Sequence, residues 1–308
     1  MYGDKIIKLQ SLQPVVGLTV LLFLLMGCMG FSNQPGNRGG DRGMVAEEHI
    51  YSVARTEQGA MILRLNSYKP QQQCTSRRPT VLYIHAGAFV VGDRHEGAFR
   101  GHAQLFTESG FNFVSIDYRL IPHRPLVSNA YRPLIVDYQN FPESQINAHA
   151  AAMQDTIDAM RWVEASARQL CHDPGNIILF GGSSGAITAL NLAYSLDDFN
   201  LSRPAIRAVI ADCGAYLPNS VVRANDIPAF LIHGRRDPVI PVEESEKVWQ
   251  QIVQSGTRAQ IYTYSRAGHC VNLHRSQVDG TPLTTLMVDF ARNAALGQPV
   301  QSISRHNL

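Results

Sequence analysis

The run Ile177-Ile178-Leu179-Phe180-Gly181-Gly182-Ser183-Ser184-Gly185-Ala186 constrains this chain more than any other segment. Four apolar residues of strand type break at Gly181, and a small-residue helical stretch begins after Ser183. A strand that turns directly into a helix within the pattern G-x-S-x-G is a nucleophile elbow: a sharp turn that lifts one hydroxyl above the end of a sheet. The turn forces the serine into a strained backbone, and glycines on either side remove the Cβ atoms that would crowd it. The following helix aims its first N–H groups at the same point, where they favour negative charge. Two registers exist. Ser183 has glycines at 181 and 185, whereas Ser184 would put Ala186 at a glycine position, so Ser183 is the expected nucleophile.

A serine hydroxyl reacts only when a base removes its proton, and the base needs an acid to orient it. Downstream, Ala229-Phe230-Leu231-Ile232-His233-Gly234 reads as a buried strand, with Asp237 just beyond it in a loop stiffened by Pro238 and Pro241. A strand over 260–264 then leads into Ser265-Arg266-Ala267-Gly268-His269, which places His269 in the last loop. The order Ser183, Asp237, His269 suits residues at successive strand ends of an open α/β sheet. Upstream, Val81-Leu82-Tyr83-Ile84-His85 is another buried-strand pattern, running into Ala86-Gly87-Ala88-Phe89. Small residues there leave backbone amides uncovered, as a developing oxyanion requires. The expected donors are the amides of Gly87, Ala88 and Ser184.

These segments, together with Asp117-Tyr118-Arg119-Leu120 and Asp237-Pro238-Val239-Ile240-Pro241, resemble the α/β-hydrolase carboxylesterases, nearest to the hormone-sensitive-lipase-like branch and its smaller esterase and formamidase relatives. The resemblance covers roughly residues 50–297. Alanine stands at 86 and 88 where that family carries glycine; an alanine still donates its N–H. The resemblance implies the α/β-hydrolase fold, a mostly parallel sheet of about eight strands with helices on both faces. It also implies a serine carboxylic-ester hydrolase acting through an acyl-enzyme on a small-molecule ester. In the family's sheet order the strands after Cys74 and Cys171 are parallel neighbours, so a Cys74–Cys171 disulfide is implied; the alternative is two free thiols. The family tyrosine and arginine, Tyr118 and Arg119, are read as structural. Cys270, beside His269, is expected to point away from the site.

Length and composition set the bounds. The 308 residues suffice for one large α/β domain. Apolar content is 45% and charged content 17%, as in a globular protein. A formal net charge of +2 gives no electrostatic footprint for nucleic acid. No group of residues has zinc spacing, so neither metal nor cofactor is expected. His95, His102, His123 and His149 read as surface or hydrogen-bonded residues rather than ligands.

Residues 1–28 read as a signal peptide. Lys5 and Lys8 precede the apolar run Val15–Met26, which is too short for a comfortable membrane span. The run ends Leu25-Met26-Gly27-Cys28, similar to a bacterial lipobox in which Cys28 is acylated and anchors the chain in the cell envelope. The alternative is a plain secretory signal and a secreted or periplasmic protein. Residues 29–47, rich in Asn, Gln, Pro, Gly and Arg, read as a flexible tether. The catalytic domain is expected over 48–300, with a tail at 301–308.

Within that domain a hairpin over 49–68 comes first. Strands follow at 80–85 and 112–118. A long helix over 148–170 carries the core stripe Met153, Ile157, Met160 and Val163. Thr281-Pro282 should cap the last helix, with proline at its first position. The stretch 120–147, with Tyr131, Tyr138 and Phe141, reads as a lid or pocket wall, or else as a packed surface excursion. The connection from Cys213 to Ile227 is too short for a large helical cap, which favours short acyl or aryl esters over long lipids. Two rival functions share the scaffold: an amidase or peptidase on the same triad, and a catalytically silent binding protein.

Overall fold

Val81 and Tyr83 face one way from their strand and Leu82 and Ile84 the other, and all four are buried. In a strand successive side chains alternate between faces, so a strand apolar at every position needs cover on both sides. A computed structural model describes residues 44–95, 99–131, 142–196, 201, 203–216, 222–223 and 227–308 and shows that cover. Its described residues belong to one unit spanning Asp41–Leu308.

The main sheet has nine strands in the order β1-β2-β4-β3-β5-β6-β7-β8-β11. They are β1 (Met44–Thr56), β2 (Gly59–Pro70), β3 (Arg78–Ile84), β4 (Asn112–Ile116), β5 (His172–Gly182), β6 (Ile206–Asp212), β7 (Ala229–Gly234), β8 (Ala259–Tyr264) and β11 (Ile303–Arg305). The leading hairpin, β1 with β2, is antiparallel, as is the β2–β4 pairing. Every pairing from β4 onward is parallel. A two-residue hairpin, β9 (Gln277–Val278) with β10 (Thr281–Pro282), stands apart.

Two apolar layers sandwich this sheet. On one face Leu82, Ile84, Ile177, Leu179 and Val209 pack against three helices: α2 (Glu143–Ala165), α4 (Ser184–Tyr194) and α5 (Val242–Gln254). Met153, Ile157, Met160 and Val163 all lie in that layer. On the other face Val81, Tyr83, Ile178, Phe180 and Phe230 pack against α1 (Phe99–Glu108) and α6 (Leu283–Ala295). A short helix, α3 (Ala167–Leu170), leads into β5.

The strand order positions the site. From β3 the chain crosses to β4 on one side and then returns to place β5 on the other side. The C-terminal ends of β3 and β5 therefore flank the point where the winding reverses, the usual place for a ligand crevice in an open α/β sheet. Register Ile84↔Gly181 puts the loop after Ile84 next to the elbow after Gly181. At the opposite end Arg78 pairs with His172, and the adjoining Cys74 and Cys171 form a disulfide with Cα atoms 6.0 Å apart.

Several boundaries differ from the sequence reading. The sheet gains a ninth strand because Ile303–Arg305, read as tail, pairs in parallel with Gln260–Tyr262. Leu308 closes that edge, its N–H donating to the Thr263 carbonyl and its own carbonyl accepting from the Ser265 N–H. The hairpin begins at Met44, inside the segment read as tether. Pro282 is the N-cap of α6 rather than its first helical residue, and Thr281 makes no side-chain cap. The reason is local: Thr281 is paired with Val278, and the Leu283 N–H is held by the Ser276 carbonyl.

The start of the 120–147 stretch packs against the first hairpin. Leu126 N–H donates to the Arg55 carbonyl and Glu57 N–H to the Arg124 carbonyl, while Tyr131 is buried. Tyr138 and Phe141 lie outside the described residues, as do Cys28, the whole of 1–43, and most of the Cys213-to-Ile227 connection. Among the described residues no helix is long and apolar enough to cross a membrane.

Candidate active site

Ser183 sits between β5 and α4 with φ 50° and ψ −118°. A positive φ is rare and costly for a residue with a side chain, and it persists only where the surroundings enforce it. The neighbours here do so. The Ser183 N–H donates to the Asp212 carbonyl (2.9 Å), and the Ser183 carbonyl accepts from Ile187 to open α4. A Cβ on Gly185 would lie 2.0 Å from the Ile84 carbonyl oxygen, so only glycine lets the helix start this close to β3.

The three expected catalytic residues come together. Ser183 Oγ lies 2.9 Å from His269 Nε2. His269 Nδ1 lies 2.7 Å from Asp237 Oδ2. A carboxylate only accepts, so Nδ1 carries the proton and Nε2 is left with a lone pair toward the serine. The carboxylate is fully engaged. Oδ1 accepts the N–H groups of Val239 (2.7 Å) and Ile240 (2.9 Å), and Oδ2 also faces His233 Nε2 at 3.0 Å. Burial pushes the Asp237 carboxyl upward, but the hydrogen bonds from His233, His269 and the two amides outweigh it and hold the group well below the usual carboxylate range.

The loop after β3 has three consecutive positive φ angles: Gly87 at 118°, Ala88 at 54° and Phe89 at 61°. It is tied to itself by the Val90 and Val91 N–H groups on the Gly87 carbonyl, and to the next loop by Ile121 N–H on the Phe89 carbonyl. These hydrogen bonds fix the loop's backbone in that conformation. His85 at its base stacks on Tyr118 with ring centroids 4.1 Å apart, and burial lowers its basicity. The Tyr118 hydroxyl donates to the His85 carbonyl (2.9 Å) and sits 3.3 Å from Ser184 Oγ.

Arg119 is fully buried on the carboxylate of Asp155, at 2.7 Å from Nη2 to Oδ1 and 3.0 Å from Nε to Oδ2. Its other arm donates to the carbonyls of Arg55 and Leu126. Tyr118 and Arg119 thus hold loops.

Three features escape a reading of the sequence. His233, the end of a strand four residues before Asp237, shares that residue's carboxylate; its Nδ1 faces Ser245 Oγ at 2.7 Å. Asp212 is buried at the end of β6, and both its oxygens face the Val271 N–H, at 3.2 and 3.1 Å. Burial pushes the Asp212 carboxyl up to about 7. Finally, Cys270 does not point away from the site as expected: it forms a disulfide with Cys213, whose sulfur lies 4.0 Å from His269 Nε2. Cys213, Cys270 and His269 are also the described residues whose metal-ligand atoms cluster within 4.8 Å, but the two sulfurs are bonded to each other and offer no thiolate.

A sequence profile for the alpha/beta hydrolase fold matches residues 128–291, just over half of the chain. The chain belongs to the α/β-hydrolase family. It is 34% identical over 122 residues to Esterase LipI of Mycobacterium tuberculosis, a match covering 39% of this chain and 30% of LipI. It is 26% identical over 235 residues to a probable isoprenylcysteine alpha-carbonyl methylesterase of Oryza sativa subsp. japonica, covering 67% of this chain and 54% of that one. The chain thus spans from about a third to about half of the length of these relatives.

Among solved structures, the propionate-bound esterase Est2 of Thermogutta terrifontis superposes with a TM-score of 0.60 at 19% identity, over 82% of this chain and 94% of that one. MGS-M1, an α/β hydrolase from a deep-sea metagenome library, gives 0.60 at 16%, over 82% and 98%. At these identities the superpositions speak to the fold.

Proposed function

We propose that this α/β hydrolase is a serine carboxylic-ester hydrolase for short acyl or aryl esters. One observation carries the reading: the continuous chain Ser183 Oγ, His269 Nε2, His269 Nδ1, Asp237 Oδ2, with steps of 2.9 and 2.7 Å. Ser183 Oγ attacks the ester carbonyl carbon while His269 Nε2 takes its proton. The amides of Gly87, Ala88 and Ser184 receive the carbonyl oxygen as it becomes anionic. His269 returns the proton to the leaving alcohol, and the acyl group stays on Ser183. Water, deprotonated by the same imidazole, then releases the acid.

Short acyl groups are favoured by the brief connection between Cys213 and Ile227. The Thermogutta esterase, solved with propionate and with butyrate bound, supports the same substrate class. A panel of p-nitrophenyl esters graded by chain length, with a p-nitroanilide control, tests the proposal. Highest kcat/KM on short acyl chains is expected. Faster turnover of the anilide than of any ester would make the chain an amidase instead. Failure of a fluorophosphonate to label Ser183 would leave a binding protein.

The lipobox-like end at Cys28 extends the proposal to location: an exported protein anchored by acylation of that cysteine. Two or more acyl chains anchor firmly, since each buried methylene contributes about 0.8 kcal/mol. Palmitate labelling of the wild type that is lost in Cys28→Ser is the expected result. An unlabelled wild type would make the segment a plain secretory signal.

A further inference from the structure

Three consecutive residues at the end of β6 touch the Ser183 and His269 loops directly and reach Asp237 through Ser245 and His233. The Asp212 carbonyl accepts the Ser183 N–H at 2.9 Å, inside the strained elbow. The Asp212 carboxylate takes the Val271 N–H, two residues past His269. Cys213 is bonded through sulfur to Cys270, the residue after His269, with Cα atoms 4.9 Å apart. The Gly214 carbonyl accepts Ser245 Oγ at 3.0 Å, and that oxygen holds His233, which rests on Asp237.

The backbone shows that this junction is enforced. Cys213 has φ 50° and Cys270 φ 56°, so both partners of the disulfide occupy the left-handed region without being glycine. Gly214 admits no side chain, because a Cβ there would lie 2.7 Å from the Cβ of Ala186 in α4. Cys213 is fully buried, whereas Cys270 keeps some exposure, so a reductant reaches the pair from the Cys270 side.

We propose that Asp212-Cys213-Gly214 is a positioning hub for the triad, and that the Cys213–Cys270 disulfide is its redox-cleavable tie, holding His269 on Ser183. The inference rests on the esterase reading above. The chemistry is ordinary thiol–disulfide exchange. A dithiol thiolate attacks Cys270 sulfur, the S–S bond breaks, two protein thiols form, and the dithiol closes to its cyclic disulfide. Cysteine chain and backbone then relax, and His269 loses its fixed distance to the serine. A misplacement of about 1 Å costs on the order of a hundredfold in rate.

The test follows short-ester hydrolysis in the wild type during graded reduction by dithiothreitol, with alkylation and mass spectrometry reporting each disulfide separately. Activity should fall about 10- to 100-fold in step with thiol release at Cys213 and Cys270, with KM held within about twofold, and should return on reoxidation. Fluorophosphonate labelling of Ser183 should slow in parallel. The more exposed Cys74–Cys171 bond opens as well, so a Cys74→Ser/Cys171→Ser protein isolates the effect; it should keep both full kcat and the redox response.

Asp212→Ala should lower kcat in the same sense, and Asp212→Asn should restore it, because the amide oxygen still accepts the Val271 N–H. Unchanged kcat after complete opening of Cys213–Cys270 overturns the redox tie. Wild-type kcat in a folded Asp212→Ala protein overturns the hub. An oxidised wild type that neither cleaves esters nor takes the fluorophosphonate fails the esterase reading instead, so the failures are distinct.

Discussion

Ser183 and Ser184 are adjacent hydroxyls at the mouth of one helix, and their surroundings give them different work. Ser183 Oγ meets an imidazole, whereas Ser184 Oγ meets the Tyr118 hydroxyl at 3.3 Å. Ser184 can contribute only its amide to the reaction. Ser183→Ala should therefore abolish ester hydrolysis, by up to roughly a million-fold in turnover on the pattern of triad knockouts. Ser184→Ala keeps the amide and should retain activity within about tenfold, since one neutral hydrogen bond contributes about 1 kcal/mol. Steady-state rates on one p-nitrophenyl ester, with circular dichroism to confirm folding, decide this; a dead Ser184→Ala beside an active Ser183→Ala would reverse the register. These positions were readable because glycine spacing encodes the elbow. His233 was not, since a histidine ending a strand has no sequence mark that says which carboxylate it will face.

At the scale of elements, apolar runs made the central strands legible, and the stripe at 153, 157, 160 and 163 marked the face of α2. The strand Ile303–Arg305 was illegible because three residues hold no period of their own; the open edge of β8 decides their conformation. The same limit hid Cys213–Cys270, which are 57 residues apart and brought together only by two loop conformations. Cys74 and Cys171 precede strands that the family's sheet order makes parallel neighbours, so the resemblance pointed to them, and the structure pairs those strands in parallel. Their bond closes a loop of 97 residues, for which chain entropy allows about 4–5 kcal/mol at most. Cys74→Ser/Cys171→Ser should lower the free energy of unfolding in urea by up to that amount; no change would mean that the denatured chain gains little freedom.

Arg119 makes the complementary case. Replacing it by Ala leaves the Asp155 carboxyl buried without its cation and removes a donor from the carbonyls of Arg55 and Leu126, the first of which keeps the Leu126 N–H. A loss of about 3–5 kcal/mol is expected. Arg119→Met with Asp155→Leu should recover part of it, though not the carbonyl contacts of Arg55 and Leu126.

At the scale of the whole molecule, the sheet and its layers bury imidazoles that must stay neutral. His149 is fully buried on α2, and burial pushes its pKa down to about 3. His102 is buried on α1 with His274 stacked 4.9 Å away, and burial, then that neighbour, lower it to about 3. His172 starts β5 against Thr80 and Asn112, and burial, then His49 and Lys69, lower it to about 4. In the unfolded chain each titrates near 6.5. Between that value and the folded one the unfolded chain binds protons that the native state refuses. Stability is therefore full above about 6.5 and falls as pH drops. Each such histidine contributes a slope of up to about 1.4 kcal/mol per pH unit. Asp212 acts in the opposite sense: its raised pKa gives the native state the extra proton between about 4 and 7, which offsets one of the three. A net loss on acidification remains. Urea midpoints measured from pH 7.5 to pH 5 should fall, and His149→Phe should flatten the acid limb by removing one titrating group. A histidine ring signal that titrates in the native protein above pH 5 at any of the three positions would remove that residue from the account. A flat stability profile over the whole range would remove all three.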